Sequence, residues 1–385
     1  MNMLKKDNVM LNFIAFILFI SVFSLYYKPS FTVALIMFLM FLCYKFYKKE
    51  TLSFLIFPLD FMKGIILFLG CILLASLVTL DKENINKAVE IIYSSLPFFC
   101  VYVLKTYGDI RPGIKAGLIA VAIAGFFLSI YEYYVLDIPR VGSLLKSVNL
   151  WSSALGLILP LSCYFFYAEK SAKLKILWLL CTFMLLYSIY LTKTRGMLVA
   201  LILVIFVLGM QKITKIMLSL ILIGIIYFIV NSDQLLFFHR AYDIERLYGY
   251  QASIKMWMDN PVIGVGLSKW AEQYKTVYFP QGAKEILVHA HNIFLFFLSA
   301  AGSLGIISFL YFMYNSLKYL YKKQKINIFY VFGFYTIVIF MLHGLFDAVF
   351  IYKAVARIFW LILAVYTAGV FVCDSGSKNG EGIKL

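Results

Sequence analysis

With 385 residues, of which 63% are hydrophobic and only 14% charged, the chain carries more apolar surface than a soluble core needs, which excludes a soluble enzyme or binding module. The formal charge of +16 would suit nucleic acid, but the lysines and arginines crowd the short connections between apolar runs. They therefore read as topology, with attraction to anionic membrane lipids as a secondary effect and no nucleic-acid partner.

In chain order, apolar runs of mostly about 17–24 residues, each long enough to cross a hydrocarbon layer of roughly 30 Å as a helix, fall near 10–27, 30–47, 61–80, 89–105, 114–136, 150–167, 174–191, 196–210, 216–231, 291–315, 327–343 and 354–372. The expected fold class is all-α: a polytopic membrane protein with about twelve transmembrane helices and one periplasmic helical segment. Only Thr192-Lys193-Thr194-Arg195-Gly196 divides the seventh run from the eighth. Basic residues crowd alternate connections, among them Lys5 and Lys6, Lys48 and Lys49, Lys212 and Lys215, and Lys322 and Lys323. By the positive-inside rule these connections and both termini face the cytoplasm, and the segment 232–290 faces outward. Residues 1–372 then form a single transmembrane domain with 232–290 inserted as a periplasmic loop, and 373–385 is a cytoplasmic tail. Within the loop, Asp243–Asp259 is a helical candidate whose Leu247, Tyr250, Ile254 and Trp257 recur near helical spacing, so it can lie along the bilayer surface or cap the bundle. Asn260-Pro261 ends it, and Gly264-Val265-Gly266 reads as a flexible turn. The six cysteines form no C-x-x-C pair and all fall in or beside apolar runs, which argues against disulfides and against a zinc or iron–sulfur site.

Function must come from the few polar groups expected on the outer side. All four histidines, His239, His289, His291 and His343, belong there, with Arg195, Arg240 and Arg246. Histidine is suited to general-base work and guanidinium forks to phosphate oxygens, a combination that suits diphosphate chemistry. A polar residue at a helix end also serves as a plain interfacial anchor, and Lys193 and Arg240 read equally as solvated charges or as added positive potential. His343 and Asp347, four residues apart, can form a polar pair. Gly302 and Gly305 read as packing positions.

His291-Asn292, nine residues and then Gly302-x-x-Gly305 resemble the signature of the O-antigen ligase and O-antigen polymerase superfamily. Thr194-Arg195-Gly196 is similar to that family's outer Ser/Thr-Arg-Gly element, and Arg246 ahead of Pro261-Val262-Ile263-Gly264-Val265-Gly266 is similar to the arginine before its Pro-x-x-Gly-x-Gly segment. Tyr250 stands where many relatives carry tryptophan. The resemblance covers the C-terminal half. It implies a bacterial inner-membrane glycosyltransferase whose site faces the periplasm, moving a glycan from an undecaprenyl-diphosphate carrier to a sugar hydroxyl of lipid A–core. The polymerase alternative uses a second carrier-linked repeat unit, and a third relative glycosylates protein. His291 is then the expected base and Arg195 with Arg246 the diphosphate clamp, with Lys193, Arg240, Asn292 and His343 binding substrate. The activated leaving group needs no cofactor. With no Asp-x-Asp motif, a metal-independent reaction is expected. A transporter of lipid-linked sugars would instead gather polar groups at the bilayer midplane on repeated halves, and no repeat is visible.

Overall fold

The computed structural model describes residues 2–24, 30–48, 57–209 and 241–372. The run expected near 216–231, the tail 373–385, and His239 and Arg240 lie outside the described residues. What is described is helical, with no strand. Nine helices precede residue 210: α1 (Asn2–Ser21), α2 (Ser30–Tyr47), α3 (Leu59–Val78), α4 (Lys82–Tyr93), α5 (Leu96–Tyr107), α6 (Arg111–Ile130), α7 (Val148–Ala168), α8 (Ala172–Thr192) and α9 (Arg195–Gly209). Five follow residue 240: α10 (Ala241–Asp259), α11 (Trp270–Thr276), α12 (Ile293–Lys323), α13 (Phe329–Gly344) and α14 (Lys353–Thr367).

Seven helical stretches are long and apolar enough to cross a membrane, and Asp7–Ser21, Arg195–Ile205 and Phe329–Gly344 are shorter apolar helices. A helix thus occupies each described run expected from the sequence. The difference from the expected count of about twelve is one of length, since α9, α13, α14 and the apolar part of α1 are shorter than a full span. α7 and α14 are buried around most of their circumference, as helices that are hydrophobic on all sides should be. The others pack around them: α13 along α7, α14 along α5, α12 along α3, α7 along α8 and α1 along α6. The single run expected at 89–105 is broken into α4 and α5. Pro97 has no N–H to continue a ladder, and Ser94 and Ser95 close α4 onto the carbonyls of Glu90 and Ile92.

α10 begins close to the position expected for it. Leu247 and Ile254 are exposed, while Glu245, Gly249, Ala252, Ser253 and Met256 form the buried face. Small residues win that face because α10 lies close against α12. The carboxylate of Glu245 accepts the backbone N–H groups of Lys284 and Glu285 at 3.0 and 3.2 Å, which staples the returning chain to this helix.

The Gly264-Val265-Gly266 stretch is not a flexible turn. α12 departs from helical geometry at Gly302 (φ +66°), which strands backbone groups on either side of the break. The 260–266 strand of chain satisfies them: Val265 and Gly266 donate to the carbonyls of Ser299 and Ala300 at 2.9 and 3.0 Å, and the carbonyls of Pro261 and Val262 accept from Ser303 and Leu304 at 2.8 and 3.2 Å. Such an approach needs glycine. A Cβ on Gly302 would sit 2.3 Å from the Val262 backbone, and one on Gly264 (φ +69°) 2.5 Å from that of Ser299 and Ala300. Gly302→Ala should therefore break this splice, with strain of about 1–3 kcal/mol from a backbone region that essentially only glycine populates (φ +66°, ψ −165°) and more from the clash. A fall in the detergent melting temperature of several degrees checks it, and an unchanged value would show that the splice contributes nothing to stability.

Candidate functional site

Four segments meet at one end of the bundle: the 192–196 connection, α10, residues 289–292 before α12, and the turn between α13 and α14. Asn292 caps α12, its Oδ1 accepting from Phe294 and Leu295 N–H at 2.9 and 3.0 Å while its Nδ2 donates to the Leu345 carbonyl at 3.1 Å. These bonds give Asn292 a positioning role, tying the start of α12 to the α13–α14 turn, and leave one N–H of its amide for a substrate. His291, immediately before the cap, adopts φ +48°, a left-handed backbone uncommon outside glycine and the kind of strain that collects at functional positions.

Asp347 is the hub. It is 3% exposed, and its Oδ1 lies 3.5 Å from His291 Nδ1 and 3.7 Å from His289 Nε2. It also accepts from the Ala348 N–H at 2.8 Å and from the side-chain amide of Asn149, at the start of α7. Burial alone would push its carboxyl up, but the contact with His291 and the surrounding imidazoles hold it below the usual carboxylate range. At 3.5 Å the His291 contact is long for a hydrogen bond and acts chiefly as an electrostatic one. It aims Nδ1 at the carboxylate and leaves Nε2 for chemistry.

His289 is buried, and burial pushes its imidazole down to about 4, so it is neutral at pH 7. Its Nδ1 accepts the His291 backbone N–H at 3.1 Å, which assigns the proton to Nε2, facing Asp347. That tautomer bears on metal binding. His289, His291 and Asp347 offer ligand atoms within 4.8 Å of one another, the one such cluster among the described residues. Yet a cation at His289 Nε2 would have to displace the proton that the hydrogen bond at Nδ1 fixes there. The trio fits a carboxylate–imidazole relay better than a metal centre.

The arginines approach from α9 and α10. Arg195 opens α9, its Nη2 3.4 Å from both oxygens of Asp243. Gly196 is required beside it, since a Cβ there would meet the Phe346 side chain at 2.7 Å, and Phe346 adjoins Asp347. On α10, Asp243, Arg246 and Tyr250 are spaced i, i+3 and i+7, one face of the helix. That face runs from Arg195 to His291: Tyr250 Oη donates at 3.4 Å to the carbonyls of His291 and Leu345, and Arg246, whose Nε is buried without a partner, adds positive potential at His289. Lys193, with φ +50° after α8, places its ammonium 4.9 Å from the Tyr133 ring centroid.

The pair expected between His343 and Asp347 does not form. The backbone N–H of Asp347 donates to the His343 carbonyl, but the Asp347 carboxylate is turned to His291 and Asn149. His343 is 1% exposed, and neither ring nitrogen has a hydrogen-bond partner. That burial gives no support to the expectation that it binds substrate. Asn149 carried no sequence signal. Asp347 did: it is the one acid between Phe329 and Leu363, and an acid retained in so apolar a stretch marks a site. A cavity of about 400 Å³ lined by Asp109, Arg111, Lys115 and Glu169 lies elsewhere, near the α5–α6 connection, and has no part in this constellation.

Residues 180–310, about a third of the chain, match the family model described as O-antigen ligase. That segment is similar to the O-antigen ligase family. No curated protein matches the sequence. The O-antigen ligase segment contains Arg195, Arg246 and His291, the Gly302 break in α12 and the 260–266 chain that repairs it. Asp347 and Asn149 lie outside it, so the bundle supplies the relay partner of a histidine that the matched segment carries.

Proposed function

We propose that this protein transfers a glycan from a polyprenyl diphosphate carrier, of the undecaprenyl kind, to a sugar hydroxyl of lipid A–core, at the periplasmic face of the bacterial inner membrane. The observation that carries the reading is the convergence of His291, backed by the buried Asp347, with Arg195 and Arg246, which the Asp243–Arg246–Tyr250 face of α10 draws to the same place. The acceptor oxygen attacks the anomeric carbon as its proton passes to His291 Nε2, and Asp347 stabilises the imidazolium that results. The bond from that carbon to the diphosphate oxygen breaks, the electron pair leaves with the diphosphate, and the two guanidinium groups balance the growing charge. A single displacement inverts the anomeric centre. Neutralisation by arginines in place of a divalent cation makes the reaction metal-independent.

The test is reconstitution of the purified protein in detergent with carrier-linked glycan and lipid A–core. Glycosylated core is expected, with the yield unchanged by a chelator. Long chains formed without core would make the protein a polymerase, activity restored to a chelated sample by magnesium or manganese would end the metal-free mechanism, and no product in detergent would favour a transporter.

A further inference from the structure

Arg357 lies four residues into α14, about 6 Å below the start of that helix at 1.5 Å per residue, at the end of the bundle that holds Asp347. It is half-buried. Its Cζ stacks 4.1 Å from the ring centroid of Phe31 on α2 and 5.3 Å from that of Tyr93 on α4, and the two rings meet edge to face at 5.7 Å. The Nε is buried with no hydrogen-bond partner, and no salt bridge reaches the side chain among the described residues. Glu90, one turn before Tyr93, is instead held by Lys87 at 3.1 Å.

Aromatic stacking by itself would make Arg357 a pin joining α2, α4 and α14. But rings cover only the faces of a guanidinium. Its N–H donors lie in the plane of the fork; Glu90 is near enough to act on the guanidinium through space, but among the described residues no hydrogen bond or salt bridge occupies that edge, which leaves it open to a further anion. Two further cations share the place. Lys353 is one turn above Arg357 on the same face of α14, and Lys87 donates to the Ile351 carbonyl at 3.0 Å, at the entrance to that helix. Three cations thus face one carboxylate. Apolar surface adjoins them at Val89, one turn before Tyr93 on the same face of α4, which is exposed.

We propose that this cationic cluster, where Arg357 of α14 stacks on rings of α2 and α4, binds the phosphate headgroup of a membrane lipid. Arg357 grips two phosphate oxygens with its fork, Lys353 and Lys87 flank it, and the acyl chain runs along the exposed Val89 side of α4. The site lies on the α4–α14 flank, whereas Arg195 and Arg246 belong to α9 and α10. It does not depend on the transfer reaction proposed above.

The experiment is binding of dodecyl phosphate to the full chain in phosphatidylcholine nanodiscs, followed by native mass spectrometry and thermal stabilisation, with no turnover involved. Saturable binding is expected, weakened about tenfold or more by Arg357→Gln, as loss of a charge-assisted pair implies, and less by Arg357→Lys. Lys353→Gln, on an exposed side chain, should weaken binding about two- to threefold and keeps the test decisive if Arg357→Gln does not fold. Lys115→Gln, beside Phe165 in another part of the bundle, should leave binding unchanged. Equal binding by wild type, Arg357→Gln and Lys353→Gln would overturn the site, and equal competition by inorganic phosphate would overturn its assignment to a lipid.

Discussion

Replacing His291 by asparagine should lower turnover by about 10²–10⁴-fold, the range general-base removal produces, while carrier-linked donor still binds. Asparagine is the informative replacement. His291 holds φ +48°, a conformation asparagine tolerates and alanine does not, so His291→Ala would mix about 1–2 kcal/mol of backbone strain with the loss of the base. The measurement is single-turnover glycan transfer beside a melting curve and donor binding on the same preparation. A folded His291→Asn protein that transfers at the normal rate would remove the base assignment. Asp347→Asn extends the argument. The amide preserves size and the contact to the Ala348 N–H but carries no charge to stabilise an imidazolium, and it faces the Asn149 amide as a competing donor. A large share of the His291 effect should therefore appear in Asp347→Asn as well, and the double variant should be scarcely worse than His291→Asn, because the two residues act as a unit.

The site was legible in the sequence where the chain departs from apolar periodicity. His291 and Arg195 border hydrophobic runs, so polar groups expected near a membrane surface pointed to them, whereas Arg246 lies within the polar 232–290 segment and was picked out by the resemblance, as the arginine ahead of Pro261-Val262-Ile263-Gly264-Val265-Gly266. Their partners were not legible for the same physical reason. Asn149 is an ordinary residue for a helix start and Tyr250 stood out only as an aromatic, and only three-dimensional proximity turns Asn149 into a donor for Asp347 and Tyr250 into a link between α10 and His291. Asp347 was visible as a lone acid, but spacing alone joined it to His343, one turn away, while its side chain reaches across to another helix. The fold shows the same division. Helix positions follow from runs of apolar residues, as they must where backbone groups have no water to bond. The break at Gly302 does not, because the hydrogen bonds that make it tolerable come from a segment some forty residues earlier. Gly264, Gly266 and Gly302 read as two separate motifs along the chain, and they are the two sides of one contact. On α10 periodicity reported Leu247 and Ile254, which lie on the exposed face, and gave no notice of the buried face made by Gly249, Ala252 and Ser253.

Arg246→Ala and Arg195→Ala should each lose about 2–4 kcal/mol of transition-state stabilisation, by analogy with removal of one oxyanion donor, or roughly 30- to 1,000-fold in kcat/KM. The two differ in what else they disturb. Arg195 reaches both oxygens of Asp243 at 3.4 Å, so its loss leaves a half-exposed carboxylate beside the place where a diphosphate should sit. Arg195→Ala should therefore raise KM for the donor as well as lower kcat, and Asp243→Asn on that background should recover part of the KM defect by removing the repulsion. Arg246 makes no salt bridge among the described residues, and its Nε is buried without a partner. Its charge is therefore the one more fully available to a leaving diphosphate, and its loss should fall mainly on kcat. Lysine should rescue either position only in part, because a single ammonium cannot span two phosphate oxygens as the guanidinium fork does. The split between kcat and KM decides the assignment. If Arg246→Ala changed only KM, the residue would bind donor and leaving group equally and would contribute nothing specific to the transition state. If it changed neither, the diphosphate would have to be held by other groups.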